Sequence, residues 1–213
     1  MMPGFDAHPG AVARTVTALE RDGTPARAVT LERSYDTAAA DLWDAVTNPE
    51  RLARWFLPVS GDLRAGGRYQ FEGNAGGTIT GCVPPRSVLA TWEFAGGVSW
   101  VELRIAPEGD ARARLALSHI CPVDDHWRTY GPAAAGIGWD LGLLGRAVHL
   151  SGSGPDRLAD DAFAASAEGR AFITGAGEDW RRAAVAAGES PAWAEAAARL
   201  TAAFYTGEAP PGG

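Results

Sequence analysis

His119 ends the segment LALSH, and His126 stands in the loop CPVDDHW. An imidazole in either place could move a proton near neutral pH or bond a ligand's oxygen. His119 continues the parity of Leu115 and Leu117, so on a strand it turns to their side, either as such a group or as a histidine bonded to backbone at the strand end. His126 follows Asp124 and Asp125, which could orient it or help bind a cation. A metal site needs three or more convergent ligands, so the loop reads as a solvated acidic segment and no metal is expected. Tyr130 could add a hydroxyl, Asp140 is expected to pair with an arginine such as Arg54 or Arg146, and His149 suits the C-terminal turn of a helix. All 19 basic residues are Arg, which excludes lysine Schiff-base chemistry, and no GxSxG nucleophile motif is present. Cys82 and Cys121 lack CxxC or Cys/His spacing and read as reduced, buried small side chains.

The aromatic residues carry the stronger signal. Trp43, Trp55, Phe56, Tyr69, Phe71, Trp92, Trp100 and Trp139 crowd the middle of the chain. Each ring buries about 150–250 Å², so they either form the core or line a space inside it. Trp100 shares parity with Glu102 and Arg104 and belongs on the outer side.

The elements that position these groups follow from periodicity. Residues 8–21 show Val12, Val16 and Leu19 at helical spacing, ended by Asp22-Gly23-Thr24-Pro25. Residues 28–35 alternate as a strand. Thr37 is expected to cap a helix carrying Leu42, Trp43 and Val46, and Asn48 with Pro49 to open a second, ending in Trp55 and Phe56. Period-two segments at 61–63, 67–71, 77–83, 87–94, 98–105 and 112–120, joined by short turns, predict an antiparallel meander. Tyr69, Phe71, Ile79, Val88, Trp92, Val101, Leu103, Leu115 and Leu117 fall on its inner face, while Arg68, Gln70, Glu102, Arg104, Arg112 and Arg114 fall on the outer one. A long helix is expected from Trp127 or Thr129 to Leu150, with a stripe of Ile137, Leu141, Leu144 and Val148. Its glycines suggest close approach to a sheet or a kink at Gly131-Pro132. Three short helices at 156–167, 177–187 and 191–205, the last capped by Ser190, precede a tail expected to be disordered. Trp180, Trp193, Leu200, Phe204 and Tyr205 make these helices too apolar to be free, so they pack on the same chain or form a dimer interface.

A net charge of −7 argues against nucleic acid. No run approaches about 18 apolar residues, and the N-terminus lacks a signal-type apolar core, so a cytoplasmic protein is expected.

One strand, two helices, a meander and a long helix is a helix-grip order. The segments ERSYDTAAADLWDAVTNPERLARWF, GGRYQFEG, VPPRSVLATWEF, LALSH and GWDLGLLGRAVHL resemble the START-like (SRPBCC) superfamily, and more narrowly bacterial homologues of the C-terminal domain of the activator of the 90-kDa heat-shock-protein ATPase. The resemblance covers residues 27–151 and implies an α+β helix-grip fold, with a curved antiparallel sheet of about seven strands around a long C-terminal helix. It divides the chain into an N-terminal helical extension (1–26), the START-like domain (27–151), a C-terminal helical extension (152–206) and a tail (207–213). It also implies a cavity between sheet and helix that accepts an apolar or aromatic small molecule, but no shared catalytic set.

Joined to the residue reading, this sets the expected lining: Trp55, Phe56, Tyr69, Phe71, Trp92, Leu103, Leu117, His119, Tyr130, Ile137, Leu141 and Leu144. A non-catalytic binder of a small apolar molecule is the first expectation, as monomer or homodimer, with no cofactor, nucleic acid or membrane. A cyclase or hydrolase would need two converging polar groups, such as His119 with Tyr130. A chaperone-ATPase activator would need a partner surface.

Overall fold

The computed structural model describes residues 8–151 and 161–208. The start of the helix expected at 156–167, residues 209–213 of the tail, and the side chains of Arg146, Val148 and His149 lie outside the described parts. The elements run α1 (His8–Ala11), β1 (Ala13–Arg21), β2 (Thr24–Tyr35), α2 (Ala39–Thr47), α3 (Pro49–Trp55), β3 (Val59–Gly61), β4 (Arg68–Phe71), β5 (Gly76–Val83), β6 (Ser87–Phe94), β7 (Gly97–Pro107) and β8 (Ala113–Pro122). Five helices follow: α4 (Asp125–Tyr130), α5 (Ala133–Ser151), α6 (Asp161–Ala165), α7 (Ala167–Ala186) and α8 (Pro191–Thr206). The strands form one sheet in the order β1-β2-β8-β7-β6-β5-β4-β3. This is the expected α+β helix-grip class, with eight strands rather than about seven.

The additional strand corrects the N-terminal helical extension. Residues 13–21 are β1, and of the described residues before them only His8–Ala11 are helical. Val12 and Val16 share a face of a strand as readily as of a helix, and the β-branched run Thr15-Val16-Thr17 favours the strand. Asp22 and Gly23 both adopt positive φ (52° and 75°), the two-residue turn that Asp-Gly supplies between paired strands. Smaller corrections concern the caps. Thr37 does not cap α2; Ala38 is its N-cap residue, and the Thr37 hydroxyl instead donates to Asp41 (2.7 Å). Ser190 stands at the N-cap of α8 without a side-chain bond. Asn48 does cap α3, its Oδ1 accepting from the Glu50 amide at 3.0 Å with Pro49 next in line.

The chain divides into two compact units, one of residues up to 31 with those from 121 onward, the other Glu32–Ile120. In the first, the expected long helix is broken at Gly131-Pro132 into α4 and α5. Two of the glycines of α5, Gly136 and Gly138, are explained by the later helices. A Cβ on Gly136 would lie 2.2 Å from the Trp180 ring of α7, and one on Gly138 would lie 2.9 Å from the Tyr205 hydroxyl of α8. Tyr205 Oη donates to the Ala134 carbonyl (3.0 Å), Trp193 Nε1 to that of Arg128 (2.7 Å), and Thr201 Oγ1 to that of Tyr130 (3.0 Å). The C-terminal helices therefore pack on α4 and α5 of their own chain, and Trp180 is fully buried. Gly207 and Glu208, expected in the tail, are ordered: Gly207 ends α8 and Glu208 pairs with Arg170 (3.4 Å).

Asp140 pairs with an arginine, as expected, and its described partner is Arg14. Asp140 is fully buried and takes a two-pronged bond from Arg14 of β1, Nε to Oδ2 at 3.1 Å and Nη2 to Oδ1 at 2.7 Å. Trp180 Nε1 donates to Asp140 Oδ2 at 2.9 Å, and Arg14 Nη1 also meets Asp179 at 3.0 Å. Arg14 lay in the supposed N-terminal helix, so sequence spacing offered no route to this pair.

Two stability outcomes follow. Gly136→Ala should destabilise by about 1–3 kcal/mol through overpacking. Gly175→Ala, inside α7 with open space for a Cβ, should gain up to about 1 kcal/mol; urea unfolding of both reads the opposite signs. Asp140→Leu should cost about 3–5 kcal/mol by stranding the Arg14 charge, and adding Arg14→Met should recover most of that loss in the same assay.

Candidate functional site

The unit Glu32–Ile120 carries the aromatic candidates. Register sets them on one face: Trp92 lies opposite Ser99, Val101 opposite Ala90 and His119, and Leu103 opposite Val88 and Leu117. A register shift between Ile79 and Gly81 lets both Ile79 and Cys82 share this face, pairing with Ala90 and Val88. Trp100 lies opposite Thr91 and Ile120, on the outer side as expected.

β4 and β6 are separated by β5, yet their rings meet. Phe71 and Trp92 have centroids 5.8 Å apart. The intervening strand is bare there: Gly77 pairs with Tyr69, and Gly76 with Gln70 and Glu93. A Cβ on Gly77 would fall 2.1 Å from the Thr91 carbonyl oxygen. Across this gap the Tyr69 hydroxyl donates to that same oxygen at 2.7 Å. Burial pushes the Tyr69 phenol up to about 12, so it stays protonated and keeps donating.

The aromatic groups form a continuous row. Trp55 touches Phe56 (5.8 Å), Phe56 meets Phe71 edge-on (5.1 Å), Tyr69 meets Phe71 (5.5 Å), and Trp92 meets His119 edge-on (5.7 Å). Trp55 is held by its Nε1, which donates to the Ala45 carbonyl of α2 at 2.9 Å, so Phe56 is the ring that reaches the sheet. Tyr69 and His119 are buried, whereas Phe56, Phe71 and Trp92 are half-buried.

His119 supplies the polar end of the row. Its Nε2 lies 2.7 Å from Ser99 Oγ, and Ser99 Oγ donates to the Trp92 carbonyl at 3.3 Å. Burial lowers the imidazole to about 4, so it is neutral at pH 7. Ser99 went unnoticed in the sequence because a lone serine in a strand carries no spacing signal. Its parity with Val101 and its place opposite Trp92 could have found it. The sequence reading begins that strand at Gly77, one residue after its start at Gly76.

The remaining expected residues belong to the other unit. The Tyr130 ring lies against His126 (5.0 Å) and is half-buried. Ile137 and Leu144 are fully buried and Leu141 nearly so. Ile137 reaches toward Gly177 of α7. The acidic loop before α4 is a helix start: Asp124 Oδ1 accepts from the Trp127 amide (2.9 Å) and Asp125 pairs with Arg128 (2.9 Å). No group of three or more His, Cys, Asp or Glu among the described residues could hold a metal ion. Among the described residues neither Cys82 nor Cys121 forms a disulfide, and burial pushes the Cys121 thiol to about 12, away from thiolate chemistry. No helix among the described residues is long and apolar enough to cross a membrane.

Comparison with known proteins places this geometry. The family of activator of Hsp90 ATPase homolog 1-like proteins matches residues 36–140. The crystal structure of CalU16 from Micromonospora echinospora is 30% identical, with a TM-score of 0.69 over 81% of this chain and 98% of CalU16. The chain belongs to this family. The solution structure of CalU16 agrees, at 31% identity and a TM-score of 0.70 over 83% of this chain and 97% of that one. An Hsp90 activator from Plasmodium falciparum, PFC0360w, shares the fold at 20% identity and a TM-score of 0.51, over 60% of this chain and 97% of its own. No curated protein matches the sequence. Membership in the Hsp90 ATPase activator homolog 1-like family carries the START-like superfamily assignment with it. The likeness to CalU16 extends well outside residues 36–140, so the family match alone does not mark the limits of what the two chains share.

The neutral histidine has a pH signature. The imidazole titrates at about 4 in the folded chain against 6.5 when free, so the unfolded chain takes up the proton first as pH falls. Stability should be unaffected above the free value, decline through the interval by about 3 kcal/mol in all, and level off below the folded value. His119→Gln should remove that part of the slope. Urea midpoints of the two proteins from pH 7.5 to pH 4 read the difference.

Proposed function

We propose that the chain binds an apolar, aromatic small molecule on the row Phe56, Phe71, Trp92 and His119, without turning it over, and that it does so in the cytoplasm. The observation that carries this reading is the half-buried state of Phe56, Phe71 and Trp92, three large rings in mutual contact on the inner face of the sheet. A well-filled core hides such rings, whereas a ligand site leaves apolar surface to be covered and adds a few polar groups to fix orientation. Ser99 and His119 are those polar groups. Leu103 and Leu117, paired across β7 and β8, extend the apolar surface beside them.

The contact of Ser99 with His119 also supports a second reading, an enzyme acting on an aromatic or polyketide-like substrate. A hydroxyl 2.7 Å from an imidazole could serve as nucleophile and base if Ser99 turned its proton from the Trp92 carbonyl to His119 Nε2. An imidazole titrating at about 4 is a weak base at neutral pH, which ranks this reading second. The family's name supports a third role, activation of a chaperone ATPase through a partner surface.

Native mass spectrometry of the purified protein tests the first reading. A small molecule retained in one-to-one proportion, and lost from Trp92→Ala, is the expected result. Removing that ring should weaken retention about tenfold or more. A wild-type protein that carries no adduct and takes up no apolar aromatic compound on titration would overturn it.

A further inference from the structure

What lies beyond the aromatic row on the inner face bears on the class of molecule held there, which deepens the proposed binding role and rests on it. Along β6 the face continues from Trp92 through Ala90 to Val88, about 13 Å away at the usual rise of a strand. Val101 stands opposite Ala90 and Leu103 opposite Val88, while β5 contributes Ile79 opposite Ala90 and Cys82 opposite Val88. The register shift in β5 creates this arrangement. With regular alternation Gly81, which has no side chain, would follow Ile79 on the inner face in place of Cys82. The strip is therefore aliphatic, with one thiol and no ring.

Ile79, Cys82, Val88, Val101 and Leu103 are all half-buried, whereas Ala90 among them and Leu115 and Leu117 on β8 are buried. A filled core hides aliphatic side chains in the middle of a sheet. Here a continuous strip of them keeps part of its apolar surface uncovered, and it runs into the row where Ala90 and Val101 adjoin Trp92 and Ser99. An alkyl chain laid along the strip would take apolar surface of both partners out of water. That gains about threefold in affinity for each methylene covered.

We propose that the site takes an elongated molecule of two parts, an aromatic group against Phe71 and Trp92 and an alkyl or acyl chain lying along Ile79, Cys82, Val88 and Leu103. The row seats the ring, and the strip sets how long a chain the site accommodates. Cys82 takes no chemical part; its thiol stands within the strip and is covered when a chain lies there.

Equilibrium dialysis of the full chain at pH 7.5 with 2-methoxynaphthalene and 2-hexyloxynaphthalene tests this, together with the rate at which iodoacetamide alkylates Cys82, read by peptide mapping. Cys121, its thiol pushed up to about 12 by burial, is the slow internal reference. The hexyl ether should bind at least about thirtyfold more tightly than the methyl ether, even with some of its extra methylenes uncovered. At ten times its dissociation constant the hexyl ether should slow alkylation of Cys82 about tenfold, as the occupied fraction dictates. The methyl ether should leave that rate near its value in the free protein. Leu103→Asp should remove the advantage of the hexyl ether while the methyl ether still binds. Equal binding of the two ethers, or tighter hexyl binding that leaves Cys82 alkylation unchanged, would overturn the strip and leave the aromatic site intact. A Cys82 that resists alkylation in the free protein as Cys121 does would show the strip closed and overturn it too. Failure of both ethers to bind would overturn the aromatic site itself, and the strip with it. The wild-type comparisons stand whether or not the Leu103 variant folds.

Discussion

Bare backbone at Gly77 is the constraint on which the inner face of the sheet depends. Strands two apart in a sheet are normally kept from touching by the side chains of the strand between them. Here the middle strand contributes hydrogen at the crossing, so Phe71 meets Trp92 and the Tyr69 hydroxyl reaches the Thr91 carbonyl. Those two links join β4 to β6 above β5. Everything further along the row depends on this join: Phe56 is seated by Phe71, and Trp92 is placed against His119. A side chain at Gly77 would collide with the Thr91 carbonyl, so the row and the strand spacing are one decision.

The division between what the sequence reveals and what it conceals follows the range of the forces involved. Period-two patterning in β4 to β8 is local, and it placed Tyr69, Phe71, Trp92, Leu103, Leu117 and His119 on one face before any coordinates. Asn48 and Pro49 carry their capping chemistry within two residues, and α3 begins there. β1 was misread because three apolar residues at spacings of four and three satisfy a helix and, in part, a strand. The Asp-Gly pair after them was the decisive signal, and its positive φ angles show why. Ser99 and Arg14 act through partners twenty and 126 positions away, and such pairings leave no trace in spacing.

Buried charge is treated differently in the two units. Arg14 and Asp140 are held in two-pronged contact, with Asp179 also meeting Arg14 and Trp180 also donating to Asp140. Such a cluster adds little net stability over an apolar filling, but it tolerates only one arrangement of β1, α5 and α7. The row in the other unit relies instead on rings, a hydroxyl and an uncharged imidazole.

The contact of Gly136 with Trp180 has a consequence for how the family can diverge. The indole occupies the space that a side chain on α5 would need, and its nitrogen is the donor to Asp140. Neither position can drift by itself: enlarging the first evicts the ring, and shrinking the second opens a void beside a buried carboxylate. Across relatives that keep α7, the two sites should therefore change as a linked pair, with lineages divided between glycine facing indole and a bulkier residue facing a smaller one. Asp140 would follow whichever partner remains, so its retention or loss marks which solution a lineage has inherited.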